Sequence, residues 1–166
     1  MNRAAPQAHG VASRADGPTR HFGIHLTLDG YGGSPERLRD PASVRFWLED
    51  VPALLGMTKL APPLLLEVGK QSEKDPGGLT GVVVIAESHI SVHTFPLRGF
   101  VSADVYTCQN HLETERFLEL LRSTFELDDI EHNLIVRGTR YPQHDIYGAA
   151  AVAAGERVDF GCEVGS

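Results

Sequence analysis

Four residues that can do chemistry stand close together in the middle of the sequence: Ser88, His89, His93 and Cys108. A hydroxyl or a thiol becomes a nucleophile when a base lies beside it, and imidazole is a common base. One such residue alone is usually a solvated polar group at the end of a strand. For four of them at the ends of neighbouring predicted strands, a functional site becomes a competitive interpretation beside that of solvated strand ends.

Two familiar kinds of site fit this segment poorly. A Ser–His hydrolase would hold its serine in a GxSxG turn, whereas Ser88 stands in the extended stretch AESHIS. His89 and His93 have a spacing that would suit metal binding on a helix, but the Ile, Val and Thr around them favour a strand. His21 and His25 repeat that spacing on another predicted strand. No metal site is therefore predicted.

Composition excludes several further classes of function. The net charge is -7 and the basic residues form no block, so nucleic-acid binding is not expected. No apolar run is long enough to cross a bilayer, and the N-terminus lacks the apolar stretch of a secretory signal. These features predict a soluble, cytoplasmic protein. Cys108 and Cys162 form no CxxC pair, so neither a zinc site nor a disulfide is expected.

The apolar pattern predicts a strand, a helix, three or more further strands, a second helix and a last strand. Ser34-Pro35 and Asp40-Pro41 are both signals for the start of the first helix, and Asn110 with Glu113 resembles a capping box for the second. This order predicts a two-layer α+β fold, an antiparallel or mixed sheet with both helices on one face. The predicted strands are residues 21–29, 64–68, 80–86, 90–95, 100–108 and 132–140.

The two ends of the chain differ from its middle. Residues 1–20 are rich in Ala, Arg, Pro and Gly, and residues 149–166 are mostly small and polar. Neither end has the period of a helix or a strand, so both are predicted to be flexible tails. A single domain is therefore expected over residues 21–148.

The central segment resembles the processing and active-site region of prokaryotic S-adenosylmethionine decarboxylases, which depend on a pyruvoyl group and cleave themselves. The resemblance is strong over residues 78–108 and looser over the rest of 21–140. The matching elements are the apolar run into Glu87-Ser88-His89, then His93-Thr94-aromatic-Pro96, Gly99, and Asp104-Val-x-Thr107-Cys108.

The resemblance implies a specific role for five residues. The chain would be cut between Glu87 and Ser88, and Ser88 would become the pyruvoyl group. His93 would remove the Cα proton of Ser88 during this processing, and Thr80 would assist where relatives have serine. The pyruvoyl ketone would form a Schiff base with the substrate amine. Cys108 would then return a proton to the substrate after CO₂ has left.

The resemblance also implies partners: a homodimer of processed protomers, and S-adenosylmethionine as the substrate in spermidine synthesis. Three positions depart from the family, which commonly has an acidic residue at Leu97, Gly at Gln109, and Trp or Tyr at Phe95. The pyruvoyl machinery specifies only an amine and a carboxylate, so a pyruvoyl-dependent arginine or ornithine decarboxylase is an alternative. An unprocessed, non-catalytic paralogue that acts as a binding subunit is another.

Overall fold

The computed structural model of the protein describes residues 21–142. The predicted tails lie outside the described residues, as do Cys162 and positions 143–148 of the predicted domain. A short 3-10 turn, Pro96–Arg98, joins the fourth strand to the fifth. The other elements in chain order are β1 (Gly23–Tyr31), α1 (Pro35–Arg39), α2 (Pro41–Glu49), α3 (Val51–Leu54), β2 (Leu64–Val68), β3 (Gly78–Ile85), β4 (Ser88–Phe95), β5 (Phe100–Thr107), α4 (Thr114–Phe125) and β6 (Asp129–Arg137).

The six strands form one sheet in the order β2-β3-β4-β5-β1-β6, and every neighbouring pair is antiparallel. The predicted α+β class with a helical layer is confirmed. At the turn between β4 and β5, Gly99 has a φ of 57°, which glycine adopts without a steric penalty. None of the helices in the described part of the chain is long and apolar enough to span a membrane.

Both predicted start signals for the first helical region are used. Ser34 caps α1 and Asp40 caps α2, and a proline occupies the first turn of each helix. Asp40 accepts hydrogen bonds from the backbone N–H of Ala42 (3.0 Å) and of Ser43 (3.1 Å). These bonds, that of Ala42 foremost, lower the pKa of Asp40 below its ordinary value. The sequence therefore breaks this region into short helices that turn over the sheet.

The predicted start of the last helix is wrong. Helix α4 begins at Thr114, and Glu113 stands at its N-cap without a side-chain hydrogen bond. Asn110 therefore lies in the loop before the helix. Leu112 gives the physical reason, because it is only 7% exposed and joins the hydrophobic core. Burying Leu112 holds the preceding loop in a non-helical path, and this burial outweighs the capping signal.

The hydrophobic core lies between the helices and one face of the sheet. Every second residue of the central strands points into it, and the strands alternate between buried and half-buried side chains. Trp47 of α2 and Phe117 of α4 meet edge to face above the sheet, with ring centroids 6.1 Å apart. The largest fully buried side chains include Trp47, Phe117, Phe125, Leu26, Leu28, Ile85 and Ile90.

Candidate active site

Ser88 lies at the first position of β4, after the short connection from β3. It pairs with Ile85 on one side and with Thr107 on the other. Its φ is 155°, a region that residues with a side chain rarely adopt. The ladder on both sides holds Ser88 in this strained conformation, a feature that clusters at functional sites. Glu87, directly before it, is exposed.

Cys108 lies beside this serine, directly after the residue that pairs with Ser88. It is half-buried, and among residues 21–142 it forms no disulfide. Gly23 of β1 makes the close packing here possible, because a Cβ at this position would lie 2.1 Å from the carbonyl oxygen of Thr107 and 2.9 Å from Cys108 Cα. The backbone N–H of Gln109 donates to Thr107 Oγ1 (3.2 Å), which anchors the chain after the cysteine. The structure therefore brings Ser88 and Cys108 to the same end of two neighbouring central strands, β4 and β5.

Ser88 and Cys108 are one group of predicted site residues, and Thr80 and His93 form a second. The latter two are register partners on β3 and β4, and His93 Nδ1 lies 3.2 Å from Thr80 Oγ1. His93 follows Ser88 by five residues on one strand, and an extended chain rises by about 3.3 Å per residue. The imidazole is therefore roughly 16 Å from the serine within one chain. The structure joins the predicted site residues in two groups, not in one.

A polar network that the sequence did not predict lies on the same face of the sheet as His93. Asp104 of β5 is its centre and accepts a hydrogen bond from Ser91 Oγ (2.5 Å). His25 Nε2 and His89 Nε2 lie 3.3 Å and 3.4 Å from Asp104 Oδ1. Arg137 Nη1 lies 3.0 Å from His25 Nδ1. The only sequence signal was that residues 89, 91 and 93 share a face; the other members are brought together by strand pairing.

A cavity of about 700 Å³ opens near the end of this face that is remote from Ser88. Phe95, which lies two residues after His93, contributes an aromatic ring to the lining of this cavity. Tyr31 donates a hydrogen bond to Glu131 (2.9 Å), which raises the pKa of Tyr31 above its ordinary value. Leu97, where the family commonly has an acidic residue, is 73% exposed nearby. The cavity is lined by Tyr31, Lys74, Asp75, Phe95, Arg98 and Phe100.

The donor set of the site suits a group made from the chain itself. Ser88 is the residue that the resemblance predicts as the source of a pyruvoyl group, and Cys108 directly follows its register partner Thr107. Between residues 21 and 142, no group of three or more His, Cys, Asp or Glu side chains is arranged to hold a metal ion. A serine in a strained conformation at the start of a strand, close in the chain order of the sheet to a cysteine, on an antiparallel sheet with one helical layer, is the arrangement that the resemblance predicts for an α+β decarboxylase.

Comparison with known proteins agrees with this class. The family model for S-adenosylmethionine decarboxylase matches residues 24–138. The chain belongs to the S-adenosylmethionine decarboxylase family, which confirms the resemblance drawn from the sequence.

Individual relatives agree with the family match. The S-adenosylmethionine decarboxylase proenzyme of Pyrobaculum islandicum is 35% identical over 109 residues, 66% of this chain and 82% of the relative. That of Archaeoglobus fulgidus is 34% identical over 116 residues, 70% of this chain and 97% of the relative. The crystal structure of the adenosylmethionine decarboxylase from Aquifex aeolicus superposes with a TM-score of 0.60 at 29% identity. The superposition covers 71% of this chain and 92% of the Aquifex aeolicus chain.

Proposed function

We propose that this chain is a cytoplasmic proenzyme that cuts itself between Glu87 and Ser88 and then decarboxylates S-adenosylmethionine for spermidine synthesis. The observation that carries the proposal is the position of Ser88. Its strained backbone is held between two strands, and Cys108 directly follows Thr107, the register partner of Ser88 on β5. The relatives named above are proenzymes of this activity, which supports the same reading.

Self-cleavage would begin with attack of Ser88 Oγ on the carbonyl carbon of Glu87. The Glu87–Ser88 amide bond breaks, the amine takes up a proton, and an ester replaces the amide. A base then removes the Cα proton of Ser88, and Glu87 departs as a carboxylate. The dehydroalanine left at position 88 becomes an imine, and water converts it to the ketone with release of ammonia. The chemistry requires only a hydroxyl, a base and water.

The cut would leave the fold intact. The two fragments, residues 1–87 and 88–166, contribute neighbouring strands β3 and β4 to one sheet. These strands stay paired through six register positions from Thr80–His93 to Ile85–Ser88. Core side chains from both fragments pack on each other, so hydrogen bonds and apolar burial span the cut.

Each residue at this end of β4 and β5 would have one task in the decarboxylation. The pyruvoyl group supplies a ketone that takes the substrate amine and accepts the electrons released when CO₂ leaves. Cys108 would deliver a proton to the substrate Cα; its half-burial and its place directly after Thr107, the register partner of Ser88, support this role. Gly23 keeps the backbone around the thiol tightly packed.

The base for self-cleavage would come from a second subunit. His93 lies roughly 16 Å from Ser88 in the same chain, too far for proton transfer without several intervening groups. A two-fold dimer that packs the half-exposed faces of two sheets together would bring His93 and Thr80 of the partner subunit to Ser88. We therefore infer a homodimer in which each site combines Ser88 and Cys108 of one protomer with the second group of the other.

The first test is the intact mass of the purified, denatured protein. The proposal requires two fragments that meet at residues 87 and 88, the second lighter than a serine-initiated fragment by the conversion to pyruvoyl. A single full-length mass that persists after long incubation would contradict it and favour the non-catalytic binding subunit. In that case Thr80→Ser is the first variant to make, because relatives carry serine there.

Complementation tests the shared site. Ser88→Ala and His93→Ala chains with different tags are each expected to stay uncut when expressed alone. When they are co-expressed, the His93→Ala chain should be cut, because the Ser88→Ala partner supplies the missing imidazole. The control pairs the His93→Ala chain with a Ser88→Ala/His93→Ala double variant, which has no imidazole to lend. An uncut His93→Ala chain in confirmed mixed dimers would show that the partner does not complete the site.

The substrate is tested by measuring CO₂ release from S-adenosylmethionine, arginine and ornithine in parallel. Leu97 stands where a family member commonly has an acidic side chain, and Arg98 follows it. Arg98 Nη2 instead donates to the carbonyl oxygen of Glu73 (2.7 Å), which ties the basic side chain to the loop before β3. Turnover of an amino acid with no turnover of S-adenosylmethionine would establish the alternative decarboxylase.

A further inference from the structure

The network around Asp104 occupies two rows of the half-exposed sheet face. In the first row His89, Tyr106 and His25 are cross-strand neighbours, and in the next Ser91 pairs with Asp104. Both imidazoles flank the Tyr106 ring, with centroid distances of 6.0 Å for His89 and 5.5 Å for His25. Both also reach diagonally to one oxygen of Asp104. The carboxylate therefore links three neighbouring strands.

The charges within the network follow from the donors. A guanidinium has only N–H donors, so His25 Nδ1 must accept from Arg137. Nε2 is then the nitrogen of this ring that donates, and it lies 3.3 Å from Asp104 Oδ1. Arg137 is further held over the Tyr106 ring, with Cζ 4.9 Å from the centroid. Asp104 thus has a donor from His25 on one side, a donor from Ser91 on another, and His89 on the third.

His89 differs from the other members in its covalent neighbour. It directly follows Ser88, so after self-cleavage the group formed from Ser88 is attached to the protein only through the His89 amide. The first residue of a strand frays easily when the chain before it is cut. The His89 side chain is 43% exposed, and it contacts the Tyr106 ring, the His25 ring and Asp104.

We propose that Asp104 is a positioning residue for the pyruvoyl-bearing terminus, which it holds through His89. Ser91, His25 and Arg137 hold the carboxylate itself. The inference rests on the proposed function. Misplacing a reacting group by about 1 Å can cost a reaction on the order of 100-fold. The position of Ser88 depends less on Asp104 in the precursor, because the uncut chain restrains Ser88 from both sides.

The test compares Asp104→Asn with wild type in two separate reactions. We expect Asp104→Asn chains to be cut within about threefold of the wild-type rate and to lose kcat for S-adenosylmethionine by roughly 10- to 100-fold. KM should stay within about twofold, because the terminus and not the substrate pocket is disturbed. Hydrogen exchange supplies a readout that does not depend on turnover. The peptide that begins at position 88 should exchange faster in the mature variant than in the mature wild type.

Asp29→Asn is the matched control. Asp29 lies on the same face two residues beyond Thr27, the cross-strand neighbour of Asp104, and makes none of the contacts described for the network. The same loss of charge at this position should leave kcat and the exchange of the terminal peptide at wild-type values. If both variants lose kcat equally, the effect comes from the loss of a negative charge anywhere on this sheet face, and the proposal is overturned.

A double-mutant cycle tests the contact itself. His89→Phe keeps a ring against Tyr106 and removes the nitrogen that faces Asp104. If the contact acts as proposed, the double variant Asp104→Asn/His89→Phe has about the kcat of either single variant. Losses that multiply would overturn the proposal. If Asp104→Asn is not cut, His89→Phe carries the test alone, and failure of cleavage there too would place the pair in processing and overturn the positioning role.

Failure of the proposed function is distinguishable from failure of this inference. An uncut, inactive wild type contradicts the proposed function before any variant is compared. A wild type that is cut and active, with variants that match it in kcat and in exchange, contradicts the positioning role alone.

Discussion

The two faces of the sheet are built from the same strands and have opposite properties. On the helix-covered face the side chains are almost all aliphatic and fully buried, as Ile90, Val92 and Val105 show. On the other face the alternate positions of the same strands carry histidine, serine and aspartate that are half-buried. Because successive side chains of a strand point to opposite faces, one set of residues in each strand packs in the core and the other set carries the polar groups.

The two faces are stabilised by different kinds of interaction. The covered face is stabilised by removal of apolar area from water, at about 25 cal/mol per Å², and needs no particular geometry of polar groups. The open face gains little from burial in the single chain and depends on pairs such as Thr80–His93 and Ser91–Asp104. Substitutions on the two faces should therefore change different observables, and the following predictions separate them.

The largest expected effect is that of Ser88→Ala. Without the hydroxyl no ester can form, so cleavage and decarboxylation should both be lost, while the melting temperature stays close to that of the wild type, whose fold the cut leaves intact. Intact mass and thermal unfolding measure the two quantities. Ser123→Ala, on the exposed surface of α4, is the control and should be cut normally. A cut Ser88→Ala chain would contradict the assignment of the cleavage site.

Cys108→Ala should separate processing from turnover. The thiol has no part in the ester chemistry, so the chain should still be cut. Loss of a positioned proton donor should lower kcat by about 10²- to 10⁴-fold. Cys108→Ser keeps a weaker donor and should lie between wild type and Cys108→Ala. Activity of Cys108→Ala equal to that of wild type would remove Cys108 from the reaction.

Two phenylalanines provide a matched pair across the sheet. Phe117→Ala empties a fully buried position on the covered face and should lower the free energy of unfolding by about 3–5 kcal/mol, whatever the protein concentration. Phe100→Ala lies on the half-exposed face and should mainly weaken the dimer. Chemical denaturation at two protein concentrations and sedimentation measure the two effects. Phe100→Ala with an unchanged dimer would show that this face is not the subunit contact.

The smallest effect is expected at the cap of α2, remote from both faces. Asp40→Asn keeps a hydrogen-bond acceptor and removes the charge. Because the folded protein lowers the pKa of Asp40, its carboxylate stabilises the fold above the unfolded pKa of about 4, and this contribution is lost as the pH falls through the folded value. The melting temperature of Asp40→Asn should be slightly below wild type at pH 7. The two should converge at acidic pH; a constant difference would contradict the role of the charge.

Much of the fold follows from local pattern. The strand over residues 64–68 agrees with β2 residue for residue, and the two proline signals mark the starts of α1 and α2. Strand ends elsewhere shift by a few residues, because pairing with a neighbour and not local propensity ends a ladder. The start of α4 differs for a tertiary reason, the burial of Leu112.

The sequence by itself determined the alternation that gives one apolar and one polar face, the family, and the identity of Ser88, His93 and Cys108 as candidates. Spacing on a strand also dictates the distance between Ser88 and His93, since extended backbone has a nearly constant rise. Only the tertiary structure decided which residues meet across strands. Asp104 and His25 are 79 residues apart in the chain and become neighbours because β1 and β5 pair in one register. A shift by one residue would turn Asp104 to the other face, and no local pattern carries that information.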